Sequence, residues 1–424
     1  MLRSDVPVGC YLSGGLDSSL IAALGRAVKG ERFFTFSVRF EDAEYDETRF
    51  QREVATQIES DHREILVRAG DIAAVFPEVV YHAERPILRT APAPLFLLSR
   101  LVRESGVKVV LTGEGADEMF AGYDLFREAK VRRFWGRQPR STLRPRLLER
   151  LYPYLARSPV AWPSIAREFF GAGREDGGAP GFAHQTRWRT AGALFRLFAA
   201  PLREALPRAD VVGELLASFP PEYGRWSPLA QDQFVEVRTL LSGYLLSAQG
   251  DRMLMAHSVE GRFPFLDREV VALANGLPAP YKLRVLDEKH VLKRAARALV
   301  PEDIVRRKKQ PYRAPDALSF VGPAAPEWVA EVMSEAALRD AGLFDPRGAT
   351  QVWRKCQARS GGQLSNTDNM ALVGILSAQL LHQQLVRTAP RRGEPVALRT
   401  LVDRVPASAP GPSHGPQALR PTRA

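Results

Sequence analysis

Residues 6 to 19 read Val-Pro-Val-Gly-Cys-Tyr-Leu-Ser-Gly-Gly-Leu-Asp-Ser-Ser. A short apolar run ends at a glycine pair, and Leu16, Leu20 and Leu24 then recur at four-residue spacing. The run suits a strand buried on both faces of a parallel sheet, and the leucines suit a helix that starts at once. The same unit repeats along the first third of the chain. Phe33 to Phe40 is a second apolar strand, Tyr45 to Ile58 carries Phe50, Val54 and Ile58 on one helical face, and His62 to Val67 is a third strand. Helices at Ile72 to His82 and Pro94 to Glu104 precede a fourth strand, Val107 to Leu111, which again runs into a glycine, Gly113. Strands separated by helices require right-handed crossovers, so the expected fold class is α/β, a doubly wound parallel sheet.

Beyond Tyr123 the pattern changes. Residues 130 to 230 are rich in Arg, Pro and Gly without a clear strand, and 166 to 180 reads as a Gly-rich loop. Helical spacing returns at Phe234, Val237, Leu241 and Tyr244, at Val291 to Leu299 and at Met370 to Val386, so the second half is expected to be mainly helical. The expected division is an α/β core at 1–125, an arginine-rich insertion at 126–230, a helical part at 231–387 and a disordered tail at 388–424, where prolines are frequent and large apolar groups few. The 424 residues can bury a substantial core. No apolar run is long enough to cross a bilayer, and no secretory leader pattern opens the chain. Two cysteines exclude a disulfide framework. A cytoplasmic setting without membrane partners is expected. The formal net charge of +11 comes without aromatic-interleaved recognition motifs, so it reads as solvated arginine-rich faces and not as a nucleic-acid site.

The glycine loop carries the first chemistry. Gly14 and Gly15 let backbone N–H groups approach phosphates closely, Ser13, Ser18 and Ser19 add hydroxyl donors, and the helix points its positive end at the same place. Asp17 would repel phosphates unless it holds a magnesium ion that bridges them. No Gly-Lys-Ser/Thr closes the loop, so it is not a Walker loop. The fourth strand leads into Thr112-Gly113-Glu114-Gly115-Ala116-Asp117-Glu118. Both loops leave carboxyl ends of strands, where open parallel sheets bind ligands. Asp117 is then a second magnesium ligand, Glu114 a group that acts on substrate, and Glu118 an acidic helix start. Farther on, Asp251 to Asp267 reads as a loop between helices, with Glu260 and Arg262 as an ion pair. Glu288-Lys289-His290 opens a helix, and the basic run Arg306-Arg307-Lys308-Lys309 follows. Lysine near phosphates neutralises charge on leaving pyrophosphate.

The pattern Ser-Gly-Gly-x-Asp-Ser resembles that of the N-type ATP pyrophosphatases. Together with Thr-Gly-Glu-Gly-Ala-Asp-Glu, Asp-Arg-Met-x-Met-Ala-His-Ser-Val-Glu and Arg-x-Pro-Phe-Leu-Asp in order, it resembles the synthetase domain of the glutamine-hydrolysing asparagine synthetases over about residues 5 to 320. The resemblance implies a sheet of the adenine-nucleotide α-hydrolase-like type and ATP and Mg2+ as cofactors. It further implies adenosine contacts from Leu12, Val38, Thr112 and Gly113, magnesium at Asp17 and Asp117, pyrophosphate contact from Lys289 and a catalytic role for Glu114. The implied reaction joins aspartate and ammonia through β-aspartyl-AMP, releasing AMP and pyrophosphate.

Two departures qualify the resemblance. Leu254 stands where the family usually has a small hydroxyl residue. The family's glutaminase domain, with its nucleophilic cysteine after the initiator methionine, would precede the loop, whereas here Met1 is followed by Leu2 and the loop arrives at Ser13. The expectation is therefore a synthetase domain fed with external ammonia or by a separate glutaminase subunit, with a homodimer as the other partner arrangement. Alternatives are a β-lactam-synthetase or lasso-cyclase type of ring former, a tRNA-modifying ligase, and a non-catalytic truncated subunit. Ring formers often carry tyrosine where Glu114 stands, so Glu114 favours ammonia.

Overall fold

Five strands pair in the order β3-β2-β1-β4-β5, all parallel, in the computed structural model of the chain. The structure describes residues 1–30, 33–152, 163–206, 210–322, 325–359 and 364–388. The strands are β1 Val8–Tyr11, β2 Phe34–Phe40, β3 Asp61–Val67, β4 Val109–Leu111 and β5 Glu260–Arg262. Helices α1 Leu16–Lys29, α2 Thr48–Gln57, α3 Ala69–Ala83 and α4 Pro92–Glu104 make the crossovers. The expected doubly wound α/β class is thus observed.

Side chains alternate across the sheet as the strand period of two demands. Val8, Cys10, Val109 and Leu111 join α1 and Val54 of α2 in one core. Phe34, Phe36, Val38 and Val110 join α3 and α4 in another, which extends to the buried helix Asn366–Leu381. Both sheet faces are covered, which explains why β1 and β4 are continuous apolar runs.

Three local readings change. Residues 260–262, expected in a loop, form the edge strand β5, in register with Val109 to Leu111. A three-residue strand carrying Glu and Arg has too little apolar alternation to stand out. Residues 166–171, expected in a loop, end the helix Pro163–Gly171. The second helix starts at Thr48 rather than Tyr45, because Asp42 and Asp46 first hold a turn through the Glu44 amide and the Thr48 hydroxyl. The described second half is mainly helical, as expected, and includes one long π-type stretch, Val237–Asp251. The tail from 389 on lies outside the described residues. Among the described residues, no helix is long and apolar enough to cross a membrane.

Candidate active site

Pairing of β1 with β4 sets their carboxyl ends side by side, so the loops that leave them share one crevice. On the β1 side, Gly14 has φ +74°, and a Cβ there would come within 2.8 Å of Phe50 Cβ. The turn therefore requires glycine. Ser18 Oγ accepts from the Ser13 amide at 3.0 Å and lies 2.9 Å from Ser13 Oγ. Ser19 Oγ is buried without a partner. No side chain caps the N-terminus of α1, and Asp17 in its first turn is the acidic group set against its positive end.

On the β4 side, Gly113 leads to Glu114 and then to the short helix α5, Ala116–Phe120, which carries Asp117. Asp17 and Asp117 are both buried and face one another across two lysines. Lys289 Nζ lies 2.5 Å from Asp17 Oδ2 and 2.6 Å from Asp117 Oδ1. Lys309 Nζ lies 2.6 Å from Asp117 Oδ2 and 3.9 Å from Asp17 Oδ2. Burial opposes the charge on Lys309, but Asp117 and Asp17 outweigh it and raise its pKa. The same pairing, through Lys289 and Lys309, outweighs burial at Asp117 and holds its carboxyl below the ordinary range. A Cβ on Gly122 would lie 2.0 Å from Asp117 Oδ1 and 2.2 Å from Lys289 Cε, so the cluster closes only over glycine. Lys289 itself holds φ +51° without being glycine, a strain of about 1–3 kcal/mol that the surrounding ion pairs must offset.

A cavity beside the loop is lined by Ser13, Asp17, Glu47, Lys289, Lys309 and Tyr312, among others. Arg307 closes its rim. It donates to the Gly14 carbonyl at 3.2 Å, pairs with Glu47 and stacks its guanidinium 4.1 Å from the Phe50 ring centroid. Lys293 bonds Asp287 at 2.9 Å and Glu288 at 3.0 Å. The end of the crevice is thus dense in cations.

Glu114 is half-buried and lies within electrostatic reach of Lys309, Asp117, Asp17 and Lys289. Burial pushes its carboxyl up to about 7, with Lys309 acting against the rise and Asp117 with it. Glu118 is buried, accepts from the Tyr123 hydroxyl at 2.9 Å, and is pushed up to about 8, chiefly by burial. It is therefore an interior group and not merely an acidic helix start.

The fit of a magnesium ion can be read from the donors. Asp17 Oδ1 is buried and has no hydrogen-bond partner. Among the described residues no group of three His, Cys, Asp or Glu side chains gathers as a metal site. Two aspartates completed by substrate phosphates are, however, a usual way to hold Mg2+. The residues fit the ion in that form.

The residues expected at the adenosine end also lie along the carboxyl side of the sheet. Leu12 is buried, its amide bonded to the Phe36 carbonyl at 2.8 Å and its own carbonyl to Ser37 Oγ at 2.5 Å. Val38 is buried in β2, its carbonyl bonded by Gln51 at 3.0 Å. The Thr112 amide bonds the Arg262 carbonyl of β5 at 2.9 Å. Glu260 and Arg262 do form the expected ion pair, at 2.6 Å. Leu254 is buried in the core, packed over Gly261. Lys309, Glu47 and Tyr312 were not singled out in the sequence. The basic run at 306–309 is the signal for Lys309, but a run of four cations does not say which one turns inward. Glu47 and Tyr312 carry no such signal.

A family model described as asparagine synthase matches residues 1–383. The chain belongs to the asparagine synthase family. Among relatives, a Mycobacterium tuberculosis protein assigned as a glutamine-hydrolysing asparagine synthetase is 33% identical over 327 residues, covering 74% of this chain and 46% of that protein. Glutamine-hydrolysing asparagine synthetase 1 of Bacillus subtilis is 28% identical, covering 79% of this chain and 50% of the relative. An amidase of Gibberella zeae, chry2, is 24% identical, covering 89% and 58%. The chain spans about half the length of the curated relatives it matches.

Proposed function

We propose that this chain catalyses ATP-dependent amidation of aspartate, with aspartyl adenylation and release of AMP and pyrophosphate. The observation that carries the reading is the pair of buried aspartates, Asp17 and Asp117, spanned by Lys289 and Lys309 at the foot of the Ser13 loop. ATP lies with its adenosine along Leu12, Val38, Thr112 and Gly113 and its phosphates toward Ser13, Gly14, Gly15, Ser18 and Ser19. Asp17 and Asp117 would hold Mg2+, which neutralises phosphate charge. The side-chain carboxylate of aspartate attacks the α-phosphorus, the α–β bridge breaks, and pyrophosphate leaves toward the lysines. Their charge meets the negative charge that develops there. Ammonia then attacks the activated carbonyl. Glu114, ionised above about pH 7, accepts the proton that the attacking nitrogen sheds.

The purified chain with ATP, magnesium, aspartate and ammonium should yield asparagine, AMP and pyrophosphate in equal amounts. ADP and orthophosphate as products would overturn the adenylation chemistry. A second reading, an amide former acting on a different acid, is favoured by the fungal amidase that aligns over 89% of this chain. Supplying other carboxylic acids in the same assay separates the two.

A further inference from the structure

The cavity beside the glycine loop has Lys289, Lys293, Arg307, Lys308 and Lys309 on its wall, and Glu288 among them. Most of these cations are matched elsewhere. Arg307 pairs with Glu47, and Lys289 and Lys309 are held by Asp17 and Asp117. Lys293 and Lys308 are matched by Glu288 instead. Its Oε1 accepts from Lys293 Nζ at 3.0 Å, and Lys308 Nζ lies 3.9 Å from its Oε2. The Lys309 backbone amide also reaches Oε1, at 3.4 Å. One carboxylate therefore sits where the helix His290–Ala296 meets the basic run at 306–309.

A buried carboxylate on the wall of a phosphate pocket needs a reason, because it repels the anion that the lysines attract. A purely structural ion pair would engage both oxygens, yet Glu288 Oε2 has no hydrogen-bond partner. Lys308 stops short of hydrogen-bond distance from it, and the Lys308 side chain is 46% exposed. Its long flexible stem lets the ammonium meet either this carboxylate or a phosphate oxygen. Lys293 is different: it is mostly buried and has Asp287 at 2.9 Å as a second partner. The pocket thus carries a resident negative charge, and the most mobile of its cations stands beside it. Lysines without such a counter-charge would stabilise the departing pyrophosphate and then retain it. Product release limits turnover in many enzymes, so weaker retention is a gain.

We propose that Glu288 is a positioning residue that governs pyrophosphate release, by sharing Lys308 with the product. Lys308 turns to pyrophosphate while it is bound and returns to Glu288 as it leaves. This rests on the adenylation reading above and adds how its product is let go.

Calorimetric titration of the purified chain with magnesium pyrophosphate tests it. Glu288→Gln keeps the shape and an acceptor oxygen and removes only the charge, while Lys293 keeps Asp287. This variant should bind magnesium pyrophosphate about tenfold more tightly than wild type, because a like charge has left the pocket wall. A carboxylate with only a structural role would give the opposite sign, since its loss would loosen the lysines and weaken binding. Lys308→Met changes a half-exposed side chain, so it tests the proposal whatever Glu288→Gln does to folding. It should bind magnesium pyrophosphate about tenfold more weakly. Unchanged or weaker binding in folded Glu288→Gln, or unchanged binding in Lys308→Met, would overturn the proposal. Aspartate-dependent ATP–pyrophosphate exchange by the wild-type chain keeps the two readings apart. With exchange present, either of those results sinks the release role alone. Absence of exchange sinks adenylation and the release role with it.

Discussion

Among the described residues, the buried charges of the arginine-rich middle and those of the crevice are built differently. In the arginine-rich middle, helix α6, Asp124–Gly136, carries Arg132, which is wholly buried. Its guanidinium donates to the carbonyls of Phe170, Phe182 and Ala172 at 3.1 to 3.2 Å and stacks on Phe182 at 4.2 Å. Glu128, 4.0 Å from it, also meets Arg187 and accepts from the Tyr152 hydroxyl at 2.6 Å. Arg133 forms a two-pronged pair with Asp232 at 2.6 and 2.8 Å. Each of the three guanidinium nitrogens of Arg132 has a protein carbonyl as acceptor. At the crevice, by contrast, Asp17 keeps an oxygen without a hydrogen bond, Ser19 keeps a free hydroxyl, and Lys289 is held in a strained backbone conformation. The arginine cluster is tied to backbone carbonyls and carboxylates of the protein itself, whereas the crevice sets unpartnered acceptor and hydroxyl oxygens beside a cavity.

The comparison can be broken by mutation. Asp17→Ala should leave the fold intact and reduce pyrophosphate release on the order of 1,000-fold, measured by a coupled pyrophosphate assay. Retained activity would place Asp17 with the structural cluster. Arg132→Ala should do the reverse: it leaves three buried carbonyls without their donor and costs about 3 kcal/mol of stability, visible as an earlier denaturant midpoint, with turnover per folded molecule preserved. Glu114→Gln should lower kcat about 100-fold with little change in ATP affinity. The pH profile sharpens that prediction. Glu114 must be ionised to take a proton, and its carboxyl is raised to about 7, so kcat/KM should climb with pH through about 7 and the variant should lose that limb. The smallest effect belongs to the half-exposed surface pair: Glu260→Ala should change stability by less than about 1 kcal/mol, because Arg262 also donates to the Arg3 carbonyl at 2.9 Å.

The same contrast shows what was legible in the sequence. Buried parallel strands and helical crossovers write strong periodic patterns, so β1 to β4 and the class of fold were readable. The two phosphate-side loops were readable because glycine, serine and aspartate at those spacings have few other uses. β5 was not, since three residues with Glu and Arg at the ends leave no alternation to detect. Lys309 was visible only as one of four cations, and its inward turn is decided by Asp117, nearly two hundred positions away in the chain. The internal role of Arg132 and Arg133 was hidden for the same reason, because composition cannot separate an arginine that faces water from one that binds three carbonyls.

The account turns on one claim, that the lysine-spanned aspartates Asp17 and Asp117 form the centre at which a carboxylic acid is adenylated. Aspartate-dependent exchange of labelled pyrophosphate into ATP tests it most directly. The purified chain should show exchange that needs both magnesium and aspartate and vanishes in Asp17→Ala. Exchange that persists undiminished in that variant, or its absence from the folded, ATP-binding wild-type chain, would contradict it.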